Sequence, residues 1–163
     1  NLTQTSNASA AQNAFATIGG VSSGKFYYEA TFTGTISSGQ YFGVAGLPTY
    51  ISMQTTNAII GDLATGYAIS LINGNKYSNG GSSSYGTAFA VGDVAMVAFD
   101  ATNGSLWFGK NGTWFSSGNP AAGQTTRDDP MAINTSHDSA SSWARRIGAS
   151  GIAWPNDTVA VLI

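Results

Sequence analysis

The sequence predicts an all-β protein in which two antiparallel sheets pack face to face as a β-sandwich. Three observations carry that prediction: polar and apolar residues alternate along Phe26 to Thr33, several later runs are short and rich in β-branched or aromatic residues, and four Asn-Gly pairs punctuate them. Alternation at a period of two sends successive side chains to opposite faces of a strand, so one face meets a core and the other meets water. Asn and Gly both tolerate positive φ, which the type I′ hairpin turn requires at its two central positions.

Taken in order, residues 1–13 hold one large apolar side chain, Leu2, and no strong period, so they read as a linker or edge segment ahead of a single domain over 14–163. A Gly/Ser turn then leads into the first strand, with Phe26, Tyr28, Ala30 and Phe32 on one face and Tyr27, Glu29, Thr31 and Thr33 on the other. A short turn is expected over 57–63. Further strands are expected at Tyr41 to Ala45, Gly66 to Ile72, Val94 to Asp100, Leu106 to Phe108 and Val159 to Ile163, with turns at Asn73-Gly74, Asn79-Gly80, Asn103-Gly104 and Asn111-Gly112. Ala95, Val97 and Phe99 are expected to alternate in burial with Val94, Met96 and Ala98, in a hairpin with Leu106 to Phe108. One short helix is predicted over 139–147, where Asp138 can cap the start, Arg145 and Arg146 suit the C-terminal dipole, and Gly148 can close it in the left-handed conformation.

Composition narrows the function. Charged residues make up 9% of the 163, and Gly, Ser, Thr and Asn together make up 70, so solubility rests on hydroxyl and amide groups. A hydrophobic content of 42% and a net charge of -2 argue against disorder. Six basic residues, with only Arg145 and Arg146 adjacent, make no cationic stripe for nucleic acid. Apolar stretches such as Val94 to Phe99 fall far short of the ~20 residues that span a bilayer, so no membrane insertion is expected. The chain has no cysteine, which excludes thiol catalysis and Cys-based metal sites. A start at Asn1 without Met is that of a processed product or of a piece of a longer chain, and the piece is the expectation.

Catalytic constellations are weak. Gly20-Val21-Ser22-Ser23-Gly24 fits a nucleophile-elbow string, but that device needs a helix after the serine and a strand follows instead. His137 is the single histidine, and its neighbour Asp138 is better used as a helix cap. Glycoside hydrolysis needs two carboxylates within about 5–10 Å. Glu29 is the sole glutamate, and Asp93 and Asp100 read as turn residues. Asp128-Asp129 is an acidic loop with too few oxygens for calcium. No catalytic residue, metal or cofactor is therefore expected. Sugar binding uses aromatic faces amid amides and hydroxyls, which singles out Tyr50, Tyr77, Asn79, Tyr85 and Trp114, with Arg127 and Asp128 in a further loop; the competing reading is that Trp114 and Tyr85 pack onto the sandwich.

A family resemblance emerges from five stretches in order: Gly24-Lys25-Phe26-Tyr27-Tyr28-Glu29, Tyr41-Phe42-Gly43-Val44-Ala45, Tyr85-Gly86 with Phe89, Gly92-Asp93-Val94 with Val97-Ala98-Phe99-Asp100, and Gly104 to Gly112. Over about residues 14–115 the chain resembles the SPRY (B30.2-like) domain. The resemblance implies a bent sandwich of the concanavalin-like jelly-roll type that serves as a recognition module without catalysis of its own. The wording Trp107-Phe108-Gly109-Lys110-Asn111-Gly112-Thr113-Trp114 and the low charge look like the versions in bacteriophage virion proteins. Beyond Phe115 the match fades, and 127–163 reads as a divergent closure. The expectation is thus an extracellular virion module, in a tail fibre or other receptor-binding appendage, whose partners are a host-surface glycan or protein and other virion chains, homotrimeric association included. A structural virion part, such as a capsid decoration or fibre spacer, and a polysaccharide-degrading enzyme stay open as alternatives.

Overall fold

The computed structural model describes residues 23–46, 52–53, 58–122 and 159–162. Nine strands run β1 Lys25–Thr31, β2 Tyr41–Gly46, β3 Gly66–Ser70, β4 Lys76–Ser78, β5 Gly81–Ser83, β6 Val94–Asp100, β7 Ser105–Lys110, β8 Thr113–Trp114 and β9 Val159–Leu162. They form a four-stranded sheet in the order β1-β6-β7-β8 and a five-stranded sheet in the order β5-β4-β3-β2-β9. Every pairing is antiparallel. The predicted sandwich is what the chain forms. The helix predicted over 139–147 and the linker over 1–13 lie outside the described residues.

The core lies between the sheets. Phe42, Val44, Tyr67 and Ile69 from β2 and β3 meet Ala95, Val97, Phe99, Leu106 and Phe108 from β6 and β7, with Leu71, Phe89 and Phe115 closing it. Phe26, Tyr28, Ala30 and Phe32 pack against this cluster, as the alternation along β1 requires. Tyr28 ties the two sheets together: its ring stands edge-on to Phe42 at 5.2 Å, and its hydroxyl donates to the Gly43 carbonyl at 2.6 Å. Gly43 is needed there, since a Cβ would lie 2.0 Å from the Tyr67 carbonyl oxygen.

The β6–β7 hairpin has the expected register, with Val97 opposite Phe108 and Phe99 opposite Leu106. Burial along β6 does not alternate, contrary to expectation. Residues Ala95 to Asp100 are buried on both faces, because the outer face is closed as well, by aromatic side chains arriving from β1, β7 and β8.

Two of the four Asn-Gly pairs form the turn the sequence predicts. Asn79 (φ 52) with Gly80 (φ 71), and Asn111 (φ 51) with Gly112 (φ 81), join β4 to β5 and β7 to β8 with both central residues left-handed. In the longer connections only the glycines, Gly74 and Gly104, have positive φ. There the asparagine works through its side chain: Asn73 Oδ1 accepts from the Asn75 N–H at 2.9 Å, and Asn103 Nδ2 donates to Asp100 Oδ2 at 2.8 Å. Of the turn expected over 57–63, the described part, 58–63, is a turn, with the Asp62 N–H donating to the Ile59 carbonyl at 3.0 Å.

Candidate functional site

The sequence-predicted site residues do not converge on one place. Tyr50, Arg127 and Asp128 lie outside the described residues. Tyr77, on β4, faces away from the main core and stands edge-on to Tyr41 at 5.0 Å, against a second cluster of Ala45, Met53, Ile60 and Ala68. Asn79 is exposed at the β4–β5 turn. Tyr85 turns inward, edge-on to Phe108 at 6.4 Å and to Phe115 at 6.1 Å, with the Lys76 ammonium 5.4 Å from its ring centroid. Lys76 and Tyr77 are consecutive strand residues, so Tyr85 and Tyr77 lie on opposite sides of β4. Trp114 belongs to the other sheet altogether. Tyr77, Tyr85 and Trp114 therefore all pack on the framework, and truncating any of them is first a change in stability.

The residue that sequence reasoning passed over is Tyr27. It is 53% exposed, on the outer face of edge strand β1. The alternation had placed it among the polar positions, and a large aromatic ring in a polar register was the signal available. Its hydroxyl donates to the Glu29 carboxylate two residues along the same face. Partial desolvation of the hydroxyl, then this hydrogen bond and the Glu29 charge, push the phenol up to about 12. Trp114 reaches toward it from the opposite edge of the sheet, and the two rings meet edge-on with centroids 6.0 Å apart. The residues directly opposite each ring are small, although the buried Trp107 stands beside Ala98 in the Tyr27 row. Tyr27 pairs with Ala98 on β6, while Trp114 pairs with Gly109 on β7, where a Cβ would lie 3.0 Å from the indole. Met96, only 5% exposed, lies in the cross-strand row that runs from Glu29 through Gly109 to Trp114.

The described carboxylates each serve a local structure. Asp62 Oδ2 accepts from the Ile59 N–H at 2.8 Å, and Asp100 accepts from the backbone N–H and side chain of Asn103. Asp93 accepts from Asn111 Nδ2 at 2.7 Å and from the Ala90 N–H at 2.8 Å, and those bonds, with the nearby Lys110 ammonium, hold its carboxyl below the ordinary carboxylate value. Among the described residues no group of three or more His, Cys, Asp or Glu is placed to hold a metal ion, and no helix is long and apolar enough to cross a membrane.

An antiparallel sandwich with one exposed aromatic ring among the described residues, Tyr27, and with Asp62, Asp93 and Asp100 committed to turns, is the frame of a binding module. The chain belongs to the SPRY domain family, whose model matches residues 25–129. That match continues past Phe115, further than the sequence motifs reach. SPRY domains are recognition modules that mediate protein–protein interactions and are typically non-catalytic. Among solved structures, the SPRY domain of human HERC1 is similar at 22% identity and a TM-score of 0.48, over 61% of this chain and 59% of that one. The chain thus matches about three-fifths of the length of that structure. No curated protein matches the chain.

The residues that carry the family signature have structural work in this chain. Val94 N–H donates to Asn111 Oδ1 at 2.8 Å, so Asn111 bridges the start of β6 and Asp93 across the β7–β8 turn. Lys110 lies 3.5 Å from Asp93 Oδ2, donates to the Ala88 carbonyl at 2.8 Å and sits over the Phe89 ring. The Gly-Asp-Val and Lys-Asn-Gly stretches therefore lock the 84–93 loop to the β6–β7 hairpin.

Proposed function

We propose that this SPRY domain is the recognition module of a bacteriophage virion appendage, a tail fibre or receptor-binding protein, and that it binds a glycan or protein of the host surface. The observation that carries the reading is compositional: a recognition fold in which Gly, Ser, Thr and Asn supply 70 of 163 residues while charged residues supply 9%. Such a surface presents neutral donors and acceptors that ligate hydroxyls and amides without charge selection. In this reading residues 14–163 form one extracellular domain with 127–163 as its divergent closure, and the pairing of β9 with β2 supports that arrangement.

The test is binding of the fluorescently labelled 163-residue chain to a bacterial glycan array and to a panel of bacterial cells, before and after protease treatment. Saturable binding to a glycan, or to a protease-sensitive cell component, is expected. Failure to bind any bacterial surface, together with association with purified capsid or tail chains, would replace this reading with a structural virion part. Release of reducing ends that a single Asp→Asn change abolished would replace it with an enzyme.

A further inference from the structure

The outer face of the four-stranded sheet combines three features in one place. Tyr27 presents more than half of its surface to solvent, Trp114 backs it edge-on at 6.0 Å, and the exposed Glu29 carboxylate takes the Tyr27 hydroxyl as its donor. Glu29 makes no ion pair among the described residues. The lysine nearest in sequence, Lys25, has its ammonium 3.9 Å from Asp100 Oδ2. The charged groups on the outer face of β1 and β6 are thus one lysine against two carboxylates, Glu29 and Asp100, a net charge of -1.

We propose that this face docks an arginine side chain from a partner protein, with the guanidinium stacked on the Tyr27 ring and paired with the Glu29 carboxylate. The proposal rests on the recognition reading above and names the chemistry of one partner. Charge complementarity selects the cation. An aromatic face attracts a cation through its quadrupole, and a carboxylate with lone pairs to spare accepts two parallel N–H bonds from a planar guanidinium. The hydrogen bond from Tyr27 holds that carboxylate beside the ring and leaves its second oxygen available. A lysine ammonium satisfies the charge and not the paired geometry, so arginine fits the whole site.

The experiment titrates the 15N-labelled 163-residue chain with the blocked tripeptide acetyl-Gly-Arg-Gly-amide, with the same peptide carrying uncharged citrulline, and with methyl N-acetylglucosaminide. The arginine peptide is expected to shift the Tyr27 and Glu29 amides and the Trp114 indole N–H saturably and to weaken as salt is raised. The citrulline peptide should leave them in place. Glu29→Gln is expected to weaken binding about fivefold or more, Tyr27→Ala to abolish it, and Tyr27→Phe, which keeps the ring, to retain most of it. Should Tyr27→Ala fail to fold, Glu29→Gln alone decides. Equal response to citrulline, shifts confined to other residues, or no saturable shift overturns the proposal. A response of the same residues to the sugar alone also overturns it while upholding recognition. Loss of all bacterial-surface binding with the arginine response intact would sink the host-surface reading and leave this one standing.

Discussion

The two outer faces of the sandwich are closed in different ways. On the five-stranded sheet, Met53 and Ile60 from the β2–β3 connection cover Ala45 and Ala68 and form a second small core that takes in Tyr41 and Tyr77. On the four-stranded sheet the described cover comes mainly from the sheet's own rings, Tyr27, Trp107 and Trp114, with Gly118 after β8 lying against the Trp107 indole. A face buried beneath its own connection has given its apolar surface to folding. A face closed largely by side chains of its own strands keeps a ring in solvent, and it keeps a carboxylate, Glu29, that has no ion pair among the described residues. The difference teaches where recognition chemistry can sit without cost to the framework.

The comparison breaks first if the space between the sheets is not the dominant core. Phe99→Ala, which empties a site buried between β1 and β7, is expected to cost about 3–5 kcal/mol in chemical denaturation. Ile60→Ala sharpens the contrast, because Ile60 is 3% exposed in the second core. Its truncation should cost about 2–4 kcal/mol. A cost near zero would mean that the connection only rests on the sheet, and the two outer faces would then be equivalent.

Much of the inner architecture was legible from local pattern. The alternation along Phe26 to Phe32 places β1 correctly, and the run Val94 to Asp100 with Asn103-Gly104 yields the β6–β7 hairpin in register. These signals succeed because strand alternation and turn chemistry are properties of neighbouring residues. The outer faces were not legible, since Met96 meets the Gly112 N–H of the β7–β8 turn through its sulfur, and what covers Ala68 comes from residues 53 and 60. Sequence distance hides such cover. Tyr85 misled for a related reason: it occupies a Gly/Ser loop, yet its ring points inward to Phe108 and Phe115. Tyr27 gives no local signal beyond its place in the solvent-facing register, because its partner Trp114 comes from the far edge of the sheet.

A third prediction concerns the lock that carries the family signature. The Asp93 carboxyl is held below its ordinary value in the fold by Asn111, the Ala90 N–H and Lys110. A group whose folded pKa is depressed adds stability above its unfolded value, and that contribution is lost as pH falls through the folded one. The chain should therefore lose stability on acidification below the ordinary carboxylate range. Asp93→Asn should flatten that loss, which denaturant midpoints measured across the acid range would reveal. An unchanged acid slope in the variant would mean that the lock acts through geometry alone.

The smallest effect on stability, and the sharpest test of the open face, comes from Glu29→Gln. Both residues of the Tyr27–Glu29 pair are exposed, so at neutral pH the substitution should change stability by less than about 0.5 kcal/mol. Its signature lies at alkaline pH. The Tyr27 phenol is held at about 12 against a usual 10.0. A raised folded value means that its contribution is complete below the unfolded pKa and is lost as pH climbs from 10 through 12. Removing the Glu29 charge while leaving an amide oxygen to accept the hydrogen bond should lower the phenol below 12, with burial and the retained hydrogen bond still holding it above 10. Phenolate absorbance followed through the alkaline range reads this directly. If the titration of Tyr27 does not move, the carboxylate is not coupled to the ring, and the face loses the one acceptor that distinguishes it from a plain aromatic patch.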